Sequence, residues 1–272
     1  MRILIRTSRT AIWARRLGSV AVPLVVLSVM LHRLGSITSD VFLIAIVGAG
    51  VVAALAVLVA LLALWRLWWS GDRGWGLAVG GLALGLVCLA PFGWYGSLAL
   101  RYPAVTDTAT ADRSELPLLF EPGMTAMPAP KRLSAADLAK VFPNVATRSY
   151  PLGVLQTFVV VQGLVTEREW DLRLLHEPGT DNVGRINAQI MTPPGWREAV
   201  VLRVSGSDSA SQVDMRSASL NAQHDLGSNG LRIENFLTAL DEAITVLLRD
   251  NPNANRPLEE VDPARVEPEA AD

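Results

Sequence analysis

The chain has 272 residues and a mass of 29.3 kDa, half of it hydrophobic, with a formal net charge of −2; this admits one large domain or two smaller units. The charge is divided unevenly. Residues 1–104 carry nine Arg against Asp40 and Asp72, a net of +7, whereas residues 105–272 carry a net of −9. An acidic C-terminal half excludes nucleic acid as its partner, because no basic patch is there to offset phosphate charge. Cys88, the single cysteine, lies in an apolar run, so the C-terminal half has no disulfide, thiolate metal site or cysteine nucleophile.

Leu17 to Leu31 is apolar but short, and reaches spanning length if His32 and Arg33 snorkel and the helix runs on to about Ile37. The alternative is a secretory signal, against which no small-x-small cleavage site follows Leu31. Val41 to Trp65 and Gly74 to Leu100 contain no charged residue, and each exceeds the roughly 30 Å of a hydrocarbon core. The expectation is a three-helix anchor over residues 1–101, with spans at about 17–37, 41–65 and 74–100, partnered by the lipid bilayer. Five Arg in the N-terminal tail, with Arg66 and Arg73, oppose Arg33 and Arg101 on the other side. This places the N-terminus in the cytoplasm of a bacterial inner membrane and the C-terminal domain in the periplasm. Trp65, Trp68, Trp69, Trp75 and Trp94 sit near span ends as interfacial anchors do. Gly76–Gly80 and Gly81–Gly85 allow close helix packing, within the bundle or in a homo-oligomer. No Asp, Glu or Lys falls inside a span, so no ion or proton path is expected.

Five prolines between 102 and 133 read as a linker, and the acidic, Pro-punctuated stretch 251–272 as a disordered tail. Between them, 134–250 reads as a soluble α+β domain. Ser134 caps a short helix ending before Pro143, and a second helix runs from Pro151 to about Arg168. Four strands follow, around Trp170–Leu174, Arg185–Ile190, Ala199–Val204 and Val213–Leu220, and then an amphipathic helix from about Leu231 to Arg249. The order implies an antiparallel sheet with helices on one face.

One polar constellation stands out. Asp214, Arg216, Ser217 and Ser219 share a strand, and His224, Asp225, Asn229 and Arg232 follow the next turn. Alternation puts Asp214 and Arg216 on one face and Ser217 and Ser219 on the other. Asp225 or Ser228 is placed to cap the last helix. In Asp214-Met-Arg216-Ser217-Ala-Ser219 and Asp225-Leu-Gly227-Ser-Asn229-Gly-Leu-Arg232-Ile233 the chain resembles the uncharacterised family catalogued as domain of unknown function 1499. It departs from that family's pattern in lacking a Cys near Pro143-Asn144-Val145 and in a 220–223 turn without Gly and Arg. The resemblance implies a bacterial or plastid envelope-type domain and brings no activity or catalytic residues.

Three chemistries fit the constellation. It can be a structural network in which Arg216 and Arg232 pair with Asp214 and Asp225. It can bind an anionic ligand through two forked guanidiniums near a helix N-terminus. Or it can hydrolyse, with Ser217 or Ser219 as nucleophile and His224 as base, although neighbouring His and Asp side chains rarely adopt triad geometry. Three scattered histidines offer no metal-ligand spacing, and no cofactor motif is present. The sequence reads as a non-enzymatic, membrane-tethered binding or scaffold module for an envelope protein or anionic ligand, the alternative being a tethered hydrolase of envelope material.

Overall fold

The structure, a computed structural model, describes residues 6–119, 129–251 and 254. The expectations for the 251–272 tail lie almost wholly outside these residues, as does part of the expected linker.

Three helices, α1 (Arg9–Arg33), α2 (Ser39–Ser70) and α3 (Trp75–Arg101), are each long and apolar enough to cross a membrane. They pack through small side chains: Ala11, Ala14 and Ala21 on α1, Ala53, Ala60 and Ala63 on α2, and Ala78 with Cys88 on α3 are buried. Valine, leucine and tryptophan face outward, as expected where the surrounding solvent is lipid rather than water. A Cβ at Gly81 would lie 2.5 Å from the Ala14 carbonyl carbon, and one at Gly85 2.7 Å from Val57 Cγ2. These two glycines are therefore used inside the bundle, while Gly76 meets nothing and Gly80 meets only Arg15.

The first helix departs from expectation at both ends. It stops at Arg33, where Gly35 turns the chain at φ +69°, instead of continuing to Ile37. Length is recovered N-terminally, giving 25 residues or ~37 Å. At the same end of the bundle the backbone of residue 7 bridges to Arg73, with Arg73 N–H donating to the Arg6 carbonyl at 3.1 Å. The N-terminal segment and the α2–α3 connection thus share one side.

The rest is a six-stranded antiparallel sheet with α5 and α6 on one face, an α+β arrangement. Its elements are β1 (Asp107–Ala109), α4 (Ala135–Val141), β2 (Arg148–Tyr150), α5 (Val154–Glu167), β3 (Asp171–His176), β4 (Val183–Met191), β5 (Arg197–Gly206), β6 (Ser211–Ser219) and α6 (Ser228–Asp250). The order is β1-β6-β5-β4-β3, and β2 shares the outer edge of β6 with β1, the two lying end to end along it. The four expected strands are β3 to β6. The two three-residue strands escaped sequence reading, and β1 lies inside the expected linker. A three-residue strand has no period to detect.

Alternation sends Val200, Leu202 and Val204 of β5 and Val213 and Met215 of β6 toward the helices, where Phe158, Val161, Phe236, Leu237 and Leu240 close the core. The α5 helix begins at Val154, not Pro151, because Gly153 is extended and packed against the Asp208 carbonyl while Val154 N–H donates to Ser207. The sheet's outer face is covered too. Residues after β1 lay Leu116 and Leu118 over Val201.

The domain is seated on the anchor. Arg33 donates to the carbonyls of Thr192 (3.0 Å) and Pro193 (2.9 Å) in the β4–β5 turn, and His32 Nδ1 donates to Pro194 O at 2.7 Å. His32 stacks on Phe42 with ring centroids 4.3 Å apart, and Trp196 meets both rings edge-on. At the other tether, the ring of Tyr102 occupies the space above Gly227, where φ is +83° and a Cβ would lie 2.6 Å from the ring.

Candidate functional site

The constellation separates into two networks on opposite faces of β6. On the helix side, Ser217 and Ser219 are buried completely or nearly so. The Ser217 hydroxyl donates to Asn229 Oδ1 (2.7 Å) and accepts from Arg232 Nη1 (2.8 Å). The Ser219 hydroxyl donates to Glu198 Oε1 (2.9 Å) and accepts from Asn229 Nδ2 (3.0 Å). Glu198 also accepts from Ser228 Oγ at 2.6 Å and from Arg232 Nη2. Each member satisfies another, so the group forms a closed ring joining β5, β6 and the start of α6.

On the outer side, Arg216 Nε and Nη2 donate to the two oxygens of Asp107 at 2.9 and 3.2 Å, and Nη1 donates to the Leu116 carbonyl. Asp107 is fully buried and also receives Arg113 Nε (2.8 Å) and Arg132 Nε (3.2 Å). Asp214 accepts from Thr110 (3.2 Å) and Thr147 (2.5 Å). These bonds fasten the incoming chain and the β2 approach to the sheet.

The expected partnerships therefore differ from those found. Arg232 pairs with Glu198 and Arg216 with Asp107, not with Asp214 or Asp225. The reason is strand alternation: Asp214 and Arg216 point away from α6, so neither can reach Arg232. For the same reason the two guanidiniums cannot grip one anion together. Asp225 acts as a cap, its carboxylate accepting from Gly227 N–H (2.9 Å) and Asn229 N–H (3.3 Å) beneath α6. Burial pushes its pKa up, and these hydrogen bonds pull part of that back. His224 Nδ1 accepts from Leu226 N–H and lies 3.9 Å from Asp225. The serines' hydroxyls are engaged by Asn229, Glu198 and Arg232, so the Ser–His–Asp alignment that acyl transfer needs is not formed.

Sequence reasoning missed Asp107 and Glu198. Glu198 was detectable: it shares parity with Val200, Leu202 and Val204, so an inward carboxylate demanded a cationic partner. Asp107 carried no such signal, being one acid in an irregular, Pro-flanked stretch. Among the described residues no group of three His, Cys, Asp or Glu side chains could hold a metal.

Three helices long and apolar enough to cross a membrane thus precede an α+β domain whose motif side chains bind its own segments together. Residues 125–240 match the family model described as Protein of unknown function (DUF1499). The match includes both halves of the motif and Glu198, but neither α1–α3 nor β1. No curated protein and no solved structure matches the chain.

Proposed function

We propose that this protein is a non-enzymatic binding or scaffold module of the bacterial envelope, with its N-terminus in the cytoplasm and its domain on the periplasmic face of the inner membrane. The observation that carries the reading is the closed ring around Glu198: the most reactive-looking side chains of the motif are buried and mutually satisfied. What remains for recognition is the surface of a domain seated firmly at the membrane. Orientation is supported by charge. Arg6, Arg9, Arg15, Arg16, Arg66 and Arg73 gather at one end of the bundle, and Arg33 and Arg101 at the domain's end.

Two measurements test it. A reporter fused after Val246 and active only outside the cytoplasm should be active; cytoplasmic activity would overturn the orientation. Co-purification from detergent extract should recover the same envelope partners with wild type and with Ser217→Ala at equal protein level. A hydrolytic activity on envelope esters or amides that Ser217→Ala abolishes would replace the scaffold reading by catalysis.

A further inference from the structure

A cationic cluster lies outside the motif, where the chain enters the domain on the sheet's outer face. Asp107 is fully buried, and Arg216 meets both of its oxygens, so one guanidinium already matches its charge. Two more converge on the same carboxylate. Arg113 Nε and Arg132 Nε both donate to Asp107 Oδ2, at 2.8 and 3.2 Å, which holds those two nitrogens no more than about 6 Å apart. Arg113 also gives Nη2 to the Asp107 carbonyl (3.0 Å), while Arg132 spends Nε alone. Arg113 Nη1 and both Nη atoms of Arg132 make no hydrogen bond among the described residues. With Nε turned inward, a planar guanidinium sends its opposite edge outward, and the two side chains are 28% and 49% exposed.

Charge at this spot opposes that of the domain around it. Asp112 also feels the pair: hydrogen bonds from Ser114 hold its carboxyl below the usual range, and the nearby Arg113 and Arg132 add to this. Even with Asp112 counted, three guanidiniums against two carboxylates leave one positive charge uncompensated, in a half of the chain whose net charge is −9. A bound anion closes that balance. A planar carboxylate suits one fork, whereas a tetrahedral phosphate presents oxygens to two forks whatever the angle between them, at bonds of ~2.8 Å.

The position brings one source of phosphate within reach. Asp107 pairs with Ala218 and Ala218 with Ala199, so the three share one rung of the sheet. Two residues along, or about 7 Å, β5 leaves the turn that His32 and Arg33 clasp at the end of α1. Only residues 102–106 separate the rung from Arg101 at the end of α3. With α1–α3 read as membrane spans, this is the height of lipid headgroups.

We infer that Arg113 and Arg132 form a phosphate-binding site, filled by a phospholipid headgroup at the membrane face or by a soluble phosphate ester; this rests on the reading of the domain as a binding module. The Val246 reporter and the co-purification test that reading by other readouts, so either can fail alone. The full chain is purified in maltoside micelles, which contain no phosphate, and incubated with equal amounts of phosphatidylglycerol and diacylglycerol. Molecules retained on the protein are counted by native mass spectrometry.

Wild type should retain phosphatidylglycerol over diacylglycerol by roughly tenfold, the worth of one charge-assisted hydrogen bond. Arg113→Gln and Arg132→Gln should each remove most of that preference, while Arg249→Gln at the far end of α6 should remove none. Arg132 is half exposed and Asp107 keeps Arg216, so Arg132→Gln tests the site without threatening the fold. Glycerol 3-phosphate retained in the lipid's place at millimolar concentration assigns the site to soluble esters, and a lipid that resists it assigns the site to the membrane. Wild type that retains neither phosphate compound preferentially overturns the inference. So does retention unchanged in both arginine variants.

Discussion

Glu198 is the most demanding residue of the domain to replace. Its carboxylate lies beneath α6 and accepts from Ser219, Ser228 and Arg232. Glu198→Ala removes all three bonds and leaves the Arg232 guanidinium, only 14% exposed, without its counter-charge. Breaking one partner of a buried ion pair costs about 3–5 kcal/mol. In a unit of this size each kcal/mol moves the midpoint by about 4 °C, so Tm should fall by ~12–20 °C. The assay is thermal unfolding of the full chain in detergent micelles, followed through the β-sheet signal in circular dichroism. Replacing both partners, Glu198→Leu with Arg232→Met, should recover more than half the loss, because no buried charge then lacks a partner. A single-variant shift under about 4 °C, or a double variant worse than either single one, would refute the view that the ring is closed and buried.

Gly184→Ala should cost about 1–3 kcal/mol in the same melt, because its Cβ would lie 2.4 Å from the Phe158 ring and 2.9 Å from Pro178. Asp225 sets a pH dependence. Its raised pKa means that the folded state keeps a proton at pH values where the unfolded chain has lost it. Its contribution to stability should fall as pH rises from the ordinary carboxylate range through the raised value, then stay flat. Asp225→Asn should abolish that slope, seen as parallel denaturant midpoints across the acid range. A fragment limited to 125–240 should fail to give a cooperative melt, since it omits Asp107, the counter-charge of Arg216, and Asp241, which accepts from Tyr150 and Arg148.

Much of this architecture could be read from residue order. The apolar runs of α2 and α3 exceed any core helix, alternation at Ile186–Ile190 marks β4, and the unbroken apolar run Ala199–Leu202 marks a strand covered on both faces. The 3.6-residue period from Ile233 to Ile244 gives α6. Alternation also placed Asp214 and Arg216 opposite Ser217 and Ser219. The ion-pair partners were harder, because pairing across a sheet joins residues far apart in the chain: Arg216 and Asp107 are 109 positions apart, Arg232 and Glu198 are 34. Local spacing favoured Asp225 for Arg232, whereas the fold spends Asp225 on backbone donors at the foot of α6.

The brevity of the link between α3 and β1 governs how far the domain can search for a partner. Thirty-two residues of flexible chain, the span expected from proline content, would let the domain wander by about 30 Å root-mean-square. Only residues 102–106 separate Arg101 from β1, a fully stretched reach of about 17 Å, and the β4–β5 turn is clasped by α1 as well. On the proposed reading of α1–α3 as membrane spans, encounter is confined to the bilayer surface: a partner must arrive by lateral diffusion or already lie against the membrane, and anything held farther out is beyond this domain's range.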